Sequence, residues 1–246
     1  MRRTKVGLLA VLVGALVLSG CSLLSPSSRE PALDGGGLTE SEAMAMSLEE
    51  QYRLAGERHQ ELNERFAELQ AEIFEDEWLD GSTTSEVIPS SAYMVSPRMS
   101  GTTRDNTYYF DVSRWYFPQQ DVVRLVREVR KSWEARGWDV IEETIFPGGD
   151  IRIFFTTDDG FRFEVNQHGE DEIKFSGHTP PYWGAQHELT SAAGALRDAE
   201  NEAGVTWDTA DRDAEGYAYR LPGVFRPFPA WDAATVAEDA DLDVLP

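Results

Sequence analysis

Cys21 is the only cysteine in 246 residues, and it follows Leu18-Ser19-Gly20 at the end of an apolar run. A thiolate is the nucleophile for alkylation at sulfur. A lone thiol has no internal disulfide partner. Other reactive side chains are sparse: there are four histidines, no G-x-S-x-G, no H-E-x-x-H and neither phosphate-binding glycine pattern. His178, His187 and Glu188 lie near one another in sequence beside Tyr182 and Trp183. A metal needs at least three converging ligands, which that spacing does not enforce. Glu142-Glu143 are adjacent and would point to opposite faces of a strand, while Asp158-Asp159-Gly160 reads as a turn. The expectation is no catalytic set, no metal site and no cofactor.

Attachment at Cys21 requires export, and the preceding residues have that form. Arg2, Arg3 and Lys5 form a cationic head, and Val6 to Leu18 is a 13-residue apolar run. The run is shorter than the ~20 residues that span a bilayer. A plain signal peptide and an uncleaved anchor helix are the alternatives. Leu18-Ser19-Gly20-Cys21 resembles the four-residue lipobox of bacterial lipoproteins. The resemblance covers residues 1–21. It implies that residues 1–20 are a signal peptide and that Cys21 carries a diacylglycerol of palmitate-type chains, holding the protein at the outer face of the cell membrane. Two chains are the expected minimum for a stable anchor, since each buried CH₂ contributes ~0.8 kcal/mol.

The net charge is −22, and removal of Arg2, Arg3 and Lys5 takes it to −25. Such a balance argues against nucleic acid and against adsorption to anionic headgroups. With a single cysteine, the fold rests on packing alone.

Residues 21–38 read as a flexible tether, with Ser25-Pro26-Ser27-Ser28 and Gly35-Gly36-Gly37 and no period. Thr39 and Glu42 form a capping-box pattern that opens one long acidic helix, residues 39–80, with 13 Asp or Glu and three Arg over residues 40–80. Its seam runs Ala45, Leu48, Tyr52, Ala55, His59, Leu62, Phe66, Leu69 and Ile73, in the steps of a coiled coil. Such a stripe must be buried. The options are the protein's own globular part, or a protein partner docked on Leu48-Tyr52-Leu62-Phe66-Leu69-Ile73.

Residues 81–186 read as an α+β domain. Glu86-Val87-Ile88 and Ala92-Tyr93-Met94-Val95 are candidate short strands. Tyr108, Phe110 and Val112 alternate as in a half-buried strand. A five-turn amphipathic helix is expected between Pro118 in its first turn and Gly137 at C′, with Val122, Val126, Val129 and Trp133 on one face. Four strands follow, Trp138–Phe146, Ile151–Thr157, Phe161–Asn166 and Glu172–Ser176, joined by turns short enough to permit only antiparallel neighbours. One face carries Ile153, Phe155, Phe163, Val165, Ile173 and Phe175. The expected fold is an antiparallel meander covered by one amphipathic helix, a two-layer sandwich preceded by the long heptad-patterned helix. The other face carries Arg152, Phe154, Thr156, Arg162, Glu164 and Lys174. Of these, Arg152, Phe154, Arg162 and Lys174 form a candidate face for an anionic or sugar ligand. An ordinary mixed sheet face is the alternative.

Strand, helix, "WEARGWDV" and "TTDDGFRFEV" in succession, with a last strand ending near His178-Thr179-Pro180, are similar to uncharacterised actinobacterial envelope lipoproteins. That resemblance covers residues 107–180. Its marks are packing and turn residues (Trp133, Gly137, Gly160), and it implies a location and no activity. Residues 187–246 read as an acidic, partly disordered C-terminal region with a small-residue helix at 187–203, an edge strand at Tyr217–Leu221 and an extended Val224–Pro229. Its last 13 residues, Ala234 to Pro246, are expected to be disordered. Three functional classes are open at this point: a protein-contact module, a ligand-binding lipoprotein and a cell-wall enzyme.

Overall fold

The computed structural model describes residues 31–80, 88–89 (backbone only), 99–145, 149–205 and 218–236. The lipobox, the signal segment, most of the tether, Glu86, Val87, Ala92 to Val95 and residues 237–246 lie outside them.

The folded unit begins earlier than expected. Residues 31–38 are packed rather than free, because Asp34 gathers the chain around itself. Its carboxylate accepts from the Gly36 and Leu38 amides at 2.8 and 2.9 Å, and from the Trp183 amide at 3.1 Å. Leu33 then bridges to Thr39. This local side-chain-to-backbone bonding is the tendency that suits aspartate to turns.

The long helix is two helices: α1 (Glu40–Met44) and α2 (Leu48–Ile73). Each starts on its own capping box, Thr39 with Glu42 and Ser47 with Glu50. The second box interrupts an otherwise unbroken period and leaves Ala45 exposed at the break.

The main sheet is antiparallel and seven-stranded. Its members are β1 (Trp78–Asp80), β4 (Asp111–Tyr116), β5 (Ile141–Ile145), β6 (Asp150–Thr156), β7 (Arg162–His168), β8 (Glu172–His178) and β10 (Tyr219–Arg220). The order is β10-β1-β4-β8-β7-β6-β5. Strands β2 (Ile88–Pro89), β3 (Thr107–Tyr109) and β9 (Tyr182–Trp183) form a second, small sheet. The expected meander is β5 to β8, with Trp138 to Val140 outside the first strand. β10 is the expected edge strand, shorter than the sequence suggested.

Helix α3 (Val122–Ala135) connects β4 to β5 at the far edge and so must cross the sheet. It is shorter than expected, because Asp121 rather than Pro118 begins it: the Asp121 carboxylate accepts from the Arg124 amide at 2.8 Å. It stops where Gly137, at φ +86°, takes the left-handed C′ position. Val122, Val126, Val129 and Trp133 are buried, with the Trp133 ring 4.8 Å from that of Phe155.

One helix does not cover the sheet alone. α2 lies beside α3 on the same face, its Phe66 ring stacked on Phe175 at 4.3 Å. Tyr52, Ala55, Leu62, Phe66 and Leu69 are all at most 5% exposed, and Leu48 and Ile73 pack against that core. The heptad seam is thus buried within the protein's own folded unit, the first of the two options its spacing allowed. Helix α4 (Gln186–Glu202) buries Leu189, Ala192 and Leu196. Residues 221–236 lie across α2: Phe228 and Trp231 sit 4.7 and 5.1 Å from the Tyr52 ring, and the Tyr52 hydroxyl donates to the Pro229 carbonyl. Residues 233–236, in the stretch expected to be disordered, form a helical turn, with Val236 packed against the core. No helix among the described residues is long and apolar enough to cross a membrane.

Candidate functional site

Cys21, Leu18, Ser19 and Gly20 lie outside the described residues. Arg152, Phe154, Arg162 and Lys174 are placed together by strand register. Phe154 pairs with Glu164, Arg152 with Asn166, and the row continues through Lys174 to Trp115. They share the face opposite the core, as the alternation required. Two of the three cations, however, are already matched by carboxylates. Arg152 pairs with Glu143. Arg162 pairs with Glu164 at 3.2 Å while its guanidinium stacks 3.7 Å over the Phe154 ring. The Lys174 ammonium lies 5.6 Å over Trp115. Phe154 is 8% exposed, so it offers no platform to a sugar.

The same face holds a polar cluster that the sequence reading missed. Asp111 and His178 are cross-strand neighbours, with Arg162 next in the row. Asp111 Oδ1, His178 Nδ1 and Asn166 Oδ1 are buried without a hydrogen-bond partner. Burial raises the Asp111 carboxyl and lowers the His178 imidazole, against the pull of neighbouring charges. Burial would raise Glu164 too, but the hydrogen bond from Asn166 and the charges of His178, Arg162 and Arg152 outweigh it. A carboxylate beside an imidazole is half of a proton relay. Here the two unpartnered atoms make no bond to each other, and the neighbouring Ser176 is 4% exposed. His187 and Glu188 are exposed on the first turn of α4, away from any shared site with His178. Among the described residues, no group of three or more His, Cys, Asp or Glu is placed to hold a metal ion.

A cavity of about 490 Å³ opens elsewhere, between α2, the 35–38 loop and the turn that joins β6 to β7. That volume lies within the usual range for small-molecule sites. Arg58, 8% exposed, is among its lining residues. Its guanidinium donates to the Tyr108 hydroxyl at 2.6 Å and stacks 3.9 Å over the Tyr182 ring. Asp34 is its nearest counter-charge at 3.6 Å, beyond hydrogen-bond range, because that carboxylate is engaged by three backbone amides. A Cβ on Gly36 would stand 2.6 Å from the guanidinium, so a side chain there would have to displace Arg58. Leu38, Met46, Leu54 and Phe161 add apolar walls, and Glu50, Glu57, Glu61 and Asp159 add carboxylates. Arg65 ties Glu61 to Asp159 across the mouth at 2.5 and 2.6 Å. Its guanidinium is raised, first by the bond to Asp159, and the Asp159 carboxyl is correspondingly lowered. Only the capping box at Thr39 and the glycines 35–37 signalled this region in the sequence. Nothing in the linear chain brought Asp159 and Tyr182 to it.

No family model and no curated protein matches the chain. A crystal structure of LppA from Mycobacterium tuberculosis, named there as a candidate lipoprotein, superposes with a TM-score of 0.27 at 11% identity. The match covers 58% of this chain and 89% of that one. An overlap that loose is too weak to establish a shared fold or a shared role.

Proposed function

We propose that the chain is an exported lipoprotein, anchored through Cys21 at the outer face of the cell membrane, and that its folded unit works by binding rather than catalysis. The carrying observation is Leu18-Ser19-Gly20-Cys21 at the end of a cationic head and a 13-residue apolar run, with no second cysteine to serve any other purpose. The charge supports an acyl anchor. At −22 overall, the surface is repelled by anionic headgroups, so retention at a membrane needs the hydrophobic term. The binding reading is supported by the absence of a nucleophile elbow, zinc motif or phosphate loop in the sequence, and by the cavity over Arg58.

Replacement of Cys21 tests the anchor. In cells fed a clickable fatty acid, the wild type should be labelled and sediment with membranes. Cys21→Ala should be unlabelled and run at precursor size. A mutant that still takes the label overturns the proposal.

A further inference from the structure

We infer that the cavity over Arg58 is a site for a small zwitterion, an apolar amino acid or dipeptide, whose carboxylate meets the Arg58 guanidinium and whose ammonium meets the acidic mouth. The inference rests on reading the folded unit as a binding module and is independent of the anchor.

Three observations carry it. The first is the incomplete compensation of Arg58. Its guanidinium is buried and held in place by Tyr108 and Tyr182, while Asp34, at 3.6 Å, gives its oxygens to the Gly36, Leu38 and Trp183 amides. A fixed planar donor with unused N–H groups suits a carboxylate, which it can bind at two oxygens at once. The second is the opposite sign around it. Glu50, Glu57, Glu61 and Asp159 line the same cavity, against Arg53 as the other lining cation. Arg53 bridges Glu57, and Arg65 bridges both Glu61 and Asp159, so a ligand cation shares those carboxylates with an arginine and meets Glu50 without one. Four carboxylates against these two arginines leave the lining around Arg58 net acidic, which disfavours a purely anionic ligand and favours one with a cation at its other end. The third is the wall between the two signs, made by Leu38, Met46, Leu54 and Phe161, which favours an apolar side chain over a polar one.

The cavity volume of about 490 Å³ sets the size and suits a small ligand such as an amino acid or a dipeptide.

Isothermal titration calorimetry on the protein expressed from its whole chain and purified in detergent, whether or not it carries acyl chains, tests the assignment. The probes are leucine, leucyl-leucine, N-acetyl-leucine and leucine amide. Leucine or its dipeptide should bind. The acetylated and amidated derivatives, each lacking one charge, should bind at least about tenfold more weakly, the loss of one charge-assisted hydrogen bond. Arg58→Lys should weaken every probe that has a carboxylate and spare the amide. Because Arg58 also braces Tyr108, that variant can misfold. Leu54→Trp, which fills the cavity from a half-buried wall position, should abolish binding while the circular dichroism spectrum stays unchanged. No binding by any probe, equal binding of the blocked derivatives, or undiminished binding by a folded Leu54→Trp each overturns the assignment. Fatty-acid labelling of Cys21 on the same preparation reads the anchor separately, so either reading can fail without the other.

Discussion

His59 stands at a seam position where the helical period asks for an apolar residue, and its surroundings treat it as one. Phe110, Phe225 and Phe228 close on its ring at 5.4, 6.2 and 5.6 Å. Asn63 approaches Nε2 at 3.4 Å, and Nδ1 is buried without a partner. Burial, with the Arg197 charge adding to it, lowers the imidazole from 6.5 to about 4. Between those values the unfolded chain binds the proton and the folded one does not. Stability is therefore fully present above the unfolded value and falls as pH drops toward 4, by about 3 kcal/mol from this group. Urea unfolding of wild type and His59→Leu at about pH 7 and about pH 4 should show that much less pH dependence in the variant. Equal slopes would show that the ring binds its proton equally well in the folded and unfolded chains. The histidine was legible as a seam residue. Its shifted proton affinity was not, because two of the three rings that enclose it lie more than 160 residues away in sequence.

The acidic N-terminal stretch shows how an element is both legible and misread. The 3-and-4 spacing of apolar residues identified the buried face of α2, since period follows directly from helix geometry. The break at Ala45 to Ser47 was missed, although Ser47 and Glu50 spell the same capping box as Thr39 and Glu42. Two boxes eight residues apart mean two helix starts, and the first helix must end before the second begins. Ser47→Ala removes the oxygen that accepts the Glu50 amide at 3.2 Å and should lower stability by about 1 kcal/mol in chemical denaturation. A change near zero would show that tertiary packing alone sets the boundary. The covering of the seam was left open for a related reason. A stripe of Tyr52, Leu62, Phe66 and Leu69 states that it must be buried, not against what, and here the sheet meets Phe66 while residues 228–231 meet Tyr52.

At the scale of the molecule, two segments of unpromising composition complete the fold. The Asp34 loop, glycine-rich and read as tether, closes over Arg58. The proline-rich stretch after Leu221 straps α2 through Phe228 and Trp231. Phe228→Ala should cost about 2 kcal/mol, less than for a fully buried ring because Phe228 is only partly covered, and the melting temperature measures it. If the melting temperature does not move, the strap is not part of the cooperative unit.

The division between chain and fold follows from range. The proposed export address at Leu18 to Cys21, the absence of an internal disulfide, the acidic composition, the alternating strands and the covering stripe of α3 were all read from neighbours in sequence. Period, turn chemistry and motif are local properties. Tertiary structure alone decided that β4 pairs with β8, that α2 shares the sheet with α3, and that Arg58, Asp159 and Tyr182 meet around one cavity with Asp34 beside Arg58. Those are contacts between residues 24 to 148 positions apart, and no local rule encodes which distant surface an apolar face or a buried charge will find.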